Sequence, residues 1–215
     1  EIGSGLVGSE MCIRDSSYTL PDTPADQKDI IVAYSKDITK PSDNTLNLTF
    51  QHILTRINFA AKLADSNYTY TVESITITGA KGGAATYTFG GTEGKGGNWN
   101  ITGSAPASGY SYTFDNTVTA KDDIYDYTQN DNSLMLYPQS LTDAKIIVKY
   151  KTEKDNATFF NDSKEVSLTG EWTNGQSIRY ILTLPVGAEE MSVNTTYDEN
   201  WDATDNEQTP KNPAS

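Results

Sequence analysis

Apolar residues in this chain recur at every second position, in short runs broken by turn-forming residues, and nowhere at helical spacing. Ile146, Val148 and Tyr150 recur at every second position, and so do Ile178, Tyr180, Leu182 and Leu184. Leu46, Leu48 and Phe50 do the same against Thr45, Asn47, Thr49 and Gln51. A period of two places one face of a strand in a core and the other in water. Further strands are expected at Ile30–Tyr34, Ala85–Phe89, Trp99–Thr102, Tyr110–Phe114, Leu134–Tyr137, Val166–Thr169 and Met191–Tyr197, with Asn174-Gly175 as a tight turn between two of them. The pattern predicts an all-β chain, an antiparallel β-sandwich.

The phase of the alternation breaks twice. After His52 the apolar positions become odd: Ile53, Ile57, Phe59, Ala61, Leu63. A shift of one residue turns every side chain to the other face. The chain must therefore bulge, turn or cross between sheets at 52–55. Tyr68, Tyr70 and Val72 likewise lead into Ile75 and Ile77, which puts a bulge at Glu73-Ser74.

Charge and residue inventory narrow the chemistry. Sixteen basic against 29 acidic residues give a net charge of −13, which repels phosphate backbones and anionic lipid, so no nucleic-acid partner is expected. No apolar run reaches the ~20 residues of a spanning helix. With one Cys and one His, neither a Cys-based zinc site nor a disulfide framework is available. His52 is the only imidazole a catalytic triad could use. Its place in Leu-x-Phe-x-His reads instead as a structural, hydrogen-bonded histidine. No catalytic residue, cofactor or metal is assigned. The carboxylates at 122–131 and 198–205 sit in turn-like clusters without EF-hand spacing, and calcium there is a minor alternative. The glycines from Gly79 to Gly109 fit no phosphate loop: Gly94-Lys95 is followed by Gly96, and Phe89 stands where a Walker loop needs glycine. They read as hairpin tips and a loop.

Four divisions are expected along the chain. Residues 1–16, EIGSGLVGSEMCIRDS, have neither a basic start nor an apolar stretch, and Cys12 lacks a lipid-attachment context. The segment resembles translated adapter sequence and is set aside. Residues 17–45 read as a remnant of an N-terminal sandwich, poorly packed by itself. Residues 46–201 form the main β region, and 202–215 a frayed tail.

Leu46-Asn-Leu-Thr-Phe50-Gln-His52-Ile-Leu54-Thr-Arg56-Ile57-Asn-Phe59 resembles the fimbrillin-like proteins of Bacteroidales. Leu136-Tyr-Pro138-Gln139 is similar to their aliphatic–Pro–Gln segment. Trp172-Thr-Asn-Gly175 through Tyr180 is similar to their Trp–Gly–Tyr hairpin, and the run from Met191 to Trp201 to their closing strand. The resemblance implies structural roles for Phe50, His52, Leu54, Arg56, Phe59, Pro138, Gln139, Trp172, Gly175, Tyr180 and Trp201. It implies a transthyretin-like or immunoglobulin-like sandwich, a truncated first one followed by a second. It also implies an exported, non-enzymatic subunit of a surface fimbria, anchored at the outer membrane through a lipid group that this chain lacks. The implied partners are other fimbrial subunits, in a homo- or hetero-polymer, with a host glycan or protein receptor in addition. Subunits would join by strand exchange, for which Met191–Tyr197 is a candidate donor.

Three alternatives remain at this stage. A surface carbohydrate-binding module would use Tyr110, Tyr112, Tyr125, Tyr127, Trp99, Trp172 and Trp201 for stacking. A glycosidase fragment would need two facing carboxylates. A sortase-linked pilin ranks low, because no sorting motif or apolar anchor ends the sequence.

Overall fold

The computed structural model describes residues 15–33, 50–92, 95–114, 124–198 and 201. Their strands, in chain order, are β1 (Asp15–Leu20), β2 (Ile31–Ala33), β3 (Phe50–His52), β4 (Thr55–Leu63), β5 (Thr69–Thr78), β6 (Gly83–Thr92) and β7 (Lys95–Ile101). These are followed by β8 (Tyr110–Thr113), β9 (Tyr125–Asp126), β10 (Leu134–Leu136), β11 (Lys145–Lys154), β12 (Ala157–Ser167), β13 (Ser177–Leu184) and β14 (Ser192–Tyr197). Leu46 and Leu48 lie outside the described residues.

Two sheets make the sandwich. One runs β12-β11-β5-β8, all antiparallel. The other runs β10-β4-β13-β14, with β9 also on β4. Alternation supplies the core from both sides. Val72, Ile77, Ile146, Val148 and Tyr150 of the first sheet join Ile57, Phe59, Tyr180, Leu182 and Leu184 of the second in one cluster. A third sheet, β1-β6-β7, sends Leu20 and Ala85 into the same cluster. The fourth is the pair β2-β3.

Both phase breaks have structural causes. β3 ends at His52 in the two-stranded sheet, Ile53 and Leu54 belong to no strand, and β4 starts at Thr55 in the five-stranded sheet. The chain crosses between sheets there. In β5, Ser74 faces Lys149 while Val72 faces Tyr150, so Glu73 is the extra residue of a bulge.

Four expectations need correction. The sheets are not wholly antiparallel, since β4 and β13 run parallel from Arg56↔Ser177 to Leu63↔Leu184. Both strands are buried along most of their length, the usual setting of parallel pairs. Asn174-Gly175 does make a tight turn, with Gly175 at φ +67°. It links β12 to β13, which lie in different sheets, so Trp172 to Leu184 is a crossover and not a hairpin. The glycine-rich stretch is largely strand: Gly83 opens β6 and Gly97 lies within β7. Gly103 passes so close to Gly82 that a Cβ would sit 2.0 Å from the Gly82 carbonyl oxygen, and only glycine fits. Finally, β1 begins at Asp15, inside the segment set aside as foreign, and pairs with β6 over six residues, with Leu20 1% exposed. The start of the 17–45 segment is therefore packed.

Candidate functional site

The residues singled out in the sequence gather in two places. The first forms where β3 turns into β4. His52 is 4% exposed, and its Nδ1 lies 2.5 Å from Asp29 Oδ2. Its ring stacks on Trp201, centroids 3.9 Å apart and planes 21° off parallel. Arg56, four residues further on in β4, sets its guanidinium 4.6 Å from the Trp201 ring centroid. That guanidinium is itself fixed: Nε donates to Ser177 Oγ at 2.9 Å and Nη2 to Asp198 Oδ2 at 2.8 Å. An imidazole and a guanidinium from the β3–β4 segment thus hold a tryptophan that follows β14. A partly desolvated cation–π contact of this kind contributes about 1–2 kcal/mol. Leu54 and Phe59 of the same motif are fully buried in the core, whereas Phe50 is 43% exposed.

The second place lies between the sheets. Trp172 is 2% exposed and donates Nε1–H to Tyr180 Oη at 2.9 Å. Burial pushes the Tyr180 phenol up to about 12. The Trp172 amide donates to the Gln139 carbonyl at 2.9 Å, the Leu141 amide to that of Gly170 at 3.0 Å, and the Gly175 amide to that of Leu54 at 3.1 Å. The Gln139 side chain fixes the turn before it: Oε1 accepts from the Lys81 amide at 2.8 Å, and Nε2 donates to the Lys81 and Tyr137 carbonyls at 3.0 and 3.1 Å. Pro138 has no amide proton to satisfy in this irregular stretch.

Leu141, Trp172 and Tyr180 also border a groove. It has a volume of about 170 Å³ and is lined by Leu141, Leu168, Trp172, Tyr180, Val193 and Tyr197 among others. On one side lies the end of β12 and on the other β14. Each is the outermost strand of its sheet among the described residues. Val193 and Thr195 turn toward the groove, and Ser192, Asn194 and Thr196 turn to water. An open edge with unpaired main-chain groups beside apolar pockets suits an added strand.

Chemistry at the lone imidazole is constrained by geometry. Nδ1 faces Asp29, a ring face lies on Trp201, and Nε2 is buried, so no substrate proton can reach it. Among the described residues no group of three His, Cys, Asp or Glu can hold a metal ion. Of the carboxylates considered for calcium, Asp126 is bound by Arg179 at 2.6 Å and Asp198 by Arg56. Asp122, Asp123, Glu199, Asp202 and Asp205 lie outside the described residues. The aromatic residues proposed to stack on sugars are mostly internal: Tyr110, Trp172 and Trp201 are 0%, 2% and 8% exposed, and Tyr112 and Tyr127 pack in a row with Phe114. Only Tyr125, at 44%, is well exposed, and Trp99 is half-buried.

Sequence reasoning missed Asp29, Ser177 and Asp198 as partners of the motif. Nothing local marks Ser177 and Asp198, because their role comes from a sheet order that joins residues more than 100 positions apart, and Asp29 meets His52 across 23 positions.

The model of the fimbrillin-like family matches residues 12–201. No curated protein matches the chain. Among solved structures, a fimbrial protein from Bacteroides vulgatus shares the fold with a TM-score of 0.60 at 15% identity, over 86% of this chain and 67% of that one. A candidate cell adhesion protein from Bacteroides uniformis aligns over 91% of this chain and 70% of its own, with 11% identity and a TM-score of 0.49.

Proposed function

This chain belongs to the fimbrillin-like family, and from that membership we propose that it is a structural subunit of a cell-surface fimbria, joined to its neighbours by strand exchange. The observation that supports the joining step is the groove between β12 and β14, with an unpaired β14 edge beside Leu168, Trp172 and Tyr180. A strand from the next subunit would hydrogen-bond to β14 and place alternate apolar side chains over those residues. Nothing in this process needs a bond made or broken, so the subunit works without catalysis or cofactor. The partners are copies of this subunit or related ones. The location is the fimbrium at the outer surface, with attachment through a lipid anchor belonging to the precursor.

In the structure β14 pairs with its own β13 over six residues, from Ile178↔Tyr197 to Thr183↔Ser192. This favours β14 as the accepting edge over β14 as the donated strand. The edge is also unguarded. β12 presents Asp162, Lys164 and Glu165, while the outward residues of β14 are Ser192, Asn194 and Thr196, uncharged. Charge on an edge is the usual protection against pairing.

The test is assembly of the full-length precursor carrying this region. The native sequence should give ladders of detergent-resistant multimers. Thr195→Glu, which buries a charge in the groove, should give monomers whose circular dichroism matches the native chain. Unchanged ladders from that variant would remove the strand-exchange reading.

A further inference from the structure

A second concavity, of about 280 Å³, opens where β7 meets the segments around Gln139 and Glu171–Asn174. Its walls are fixed before any ligand arrives. Asn174 Nδ2 donates to the Gly97 carbonyl at 2.8 Å, which ties the 171–174 segment to β7. Ser140 and Glu171 form an isolated antiparallel bridge that ties it to the Gln139 segment. Trp99 donates Nε1–H to the Ile53 carbonyl at 2.7 Å and packs against Tyr137 and Tyr87, with centroids 4.7 and 5.1 Å away. The indole is held in one orientation and, although mostly covered, borders the notch.

Three polar side chains in the lining are uncommitted. Asn98, Glu171 and Thr173 are exposed, and none of their side chains forms a hydrogen bond or ion pair among the described residues. No lysine or arginine lines the notch. A pyranose ring has an apolar C–H face and a rim of hydroxyls. The indole suits the first, and an amide, a carboxylate and a hydroxyl suit the second. The Glu171 carboxylate and the −13 charge of the chain disfavour anionic sugars. The volume lies at the small end of ligand pockets and fits one ring.

We propose that this notch binds a neutral saccharide unit, such as the terminal residue of a glycan. It is a ligand site in addition to the assembly groove and does not depend on strand exchange. A rigid, preformed site avoids ordering costs, yet one ring buries little surface, so affinity for a single sugar is millimolar, about 4 kcal/mol of binding.

Saturation-transfer NMR on the purified chain tests this, with the methyl glycosides of glucose, galactose, mannose and N-acetylglucosamine as probes. At least one should give a signal at about 10 mM. Glu171→Ala and Asn98→Ala, both at exposed positions, should weaken that signal tenfold or more with unchanged melting temperature, and Trp99→Ala should abolish it. No signal from any of the four probes would overturn the proposal. So would a signal that survives in either exposed-site variant, which would place any sugar elsewhere. Neither result bears on subunit assembly, which the multimer ladders read separately.

Discussion

Alkaline pH should unfold this protein earlier than its apolar core alone would suggest. Tyr110, Tyr137, Tyr150 and Tyr180 are 0–3% exposed. Burial pushes each phenol up, Tyr180 to about 12 and the other three further. In the unfolded chain a tyrosine ionises near pH 10, at its ordinary value. Above that pH the unfolded state sheds protons that the folded state keeps, so it binds fewer protons and stability falls as pH rises. The stabilisation is complete below pH 10 and drains away between pH 10 and 12. At pH 11 each such group has cost about 1.4 kcal/mol, and four together about 5–6 kcal/mol. A typical domain has only about 5–15 kcal/mol in total. Circular dichroism and phenolate absorbance, recorded together through a pH titration, should therefore show cooperative unfolding near pH 11. Most of the 13 tyrosines should ionise in that same step. The reasoning fails if phenolate absorbance completes its rise near pH 10 while the dichroism stays native. It fails equally if the native spectrum persists at pH 12.

Two hydroxyls of this set should respond oppositely to removal. Tyr150 Oη donates to the Pro185 carbonyl at 2.8 Å, so Tyr150→Phe leaves a buried acceptor short and should lower stability in urea by about 1–2 kcal/mol. Tyr110 Oη is buried without a partner, so Tyr110→Phe should be neutral or stabilising by up to about 1 kcal/mol in the same assay. Gly103→Ala should cost more than about 2 kcal/mol, because its methyl would meet the Gly82 carbonyl oxygen at 2.0 Å and main chain cannot rotate away. A melting temperature equal to that of the native chain would contradict this. Trp201→Ala should release the segment after β14 from His52 and Arg56, at a cost of about 3 kcal/mol by denaturant titration, with faster amide exchange in β14 as the local sign.

How far the sequence could be read depended on whether a signal was local. Alternation in β11 and β13 located those strands directly, because the burial of Ile146, Val148 and Tyr150 has the same period as the chain. The phase breaks at His52 and Glu73 were legible for the same reason, since each leaves a misplaced apolar residue beside it. The hairpin at Asp155-Asn156 was not seen. It uses positive φ, 50° and 63°, at two residues without a glycine, so the usual turn signal is absent. β9 is two residues long and has no pattern to detect. The parallel registration of β4 with β13 lay beyond any local reading, because alternation shows which face of a strand is buried and is silent on the direction of its neighbour. The candidate site follows the same rule. The sequence marked His52, Arg56 and Trp201 separately, and only the sheet order shows that they touch.

That order also governs how the molecule can come into being. Arg56 must wait for Ser177, 121 residues later, before the central pair of the main sheet can start to close. A chain emerging from the ribosome thus carries β4 without its parallel partner until 121 further residues have been made. Closure across so long a separation is slow. Until β13 arrives, the side of β4 that will receive it is an open strand edge on a partly folded chain.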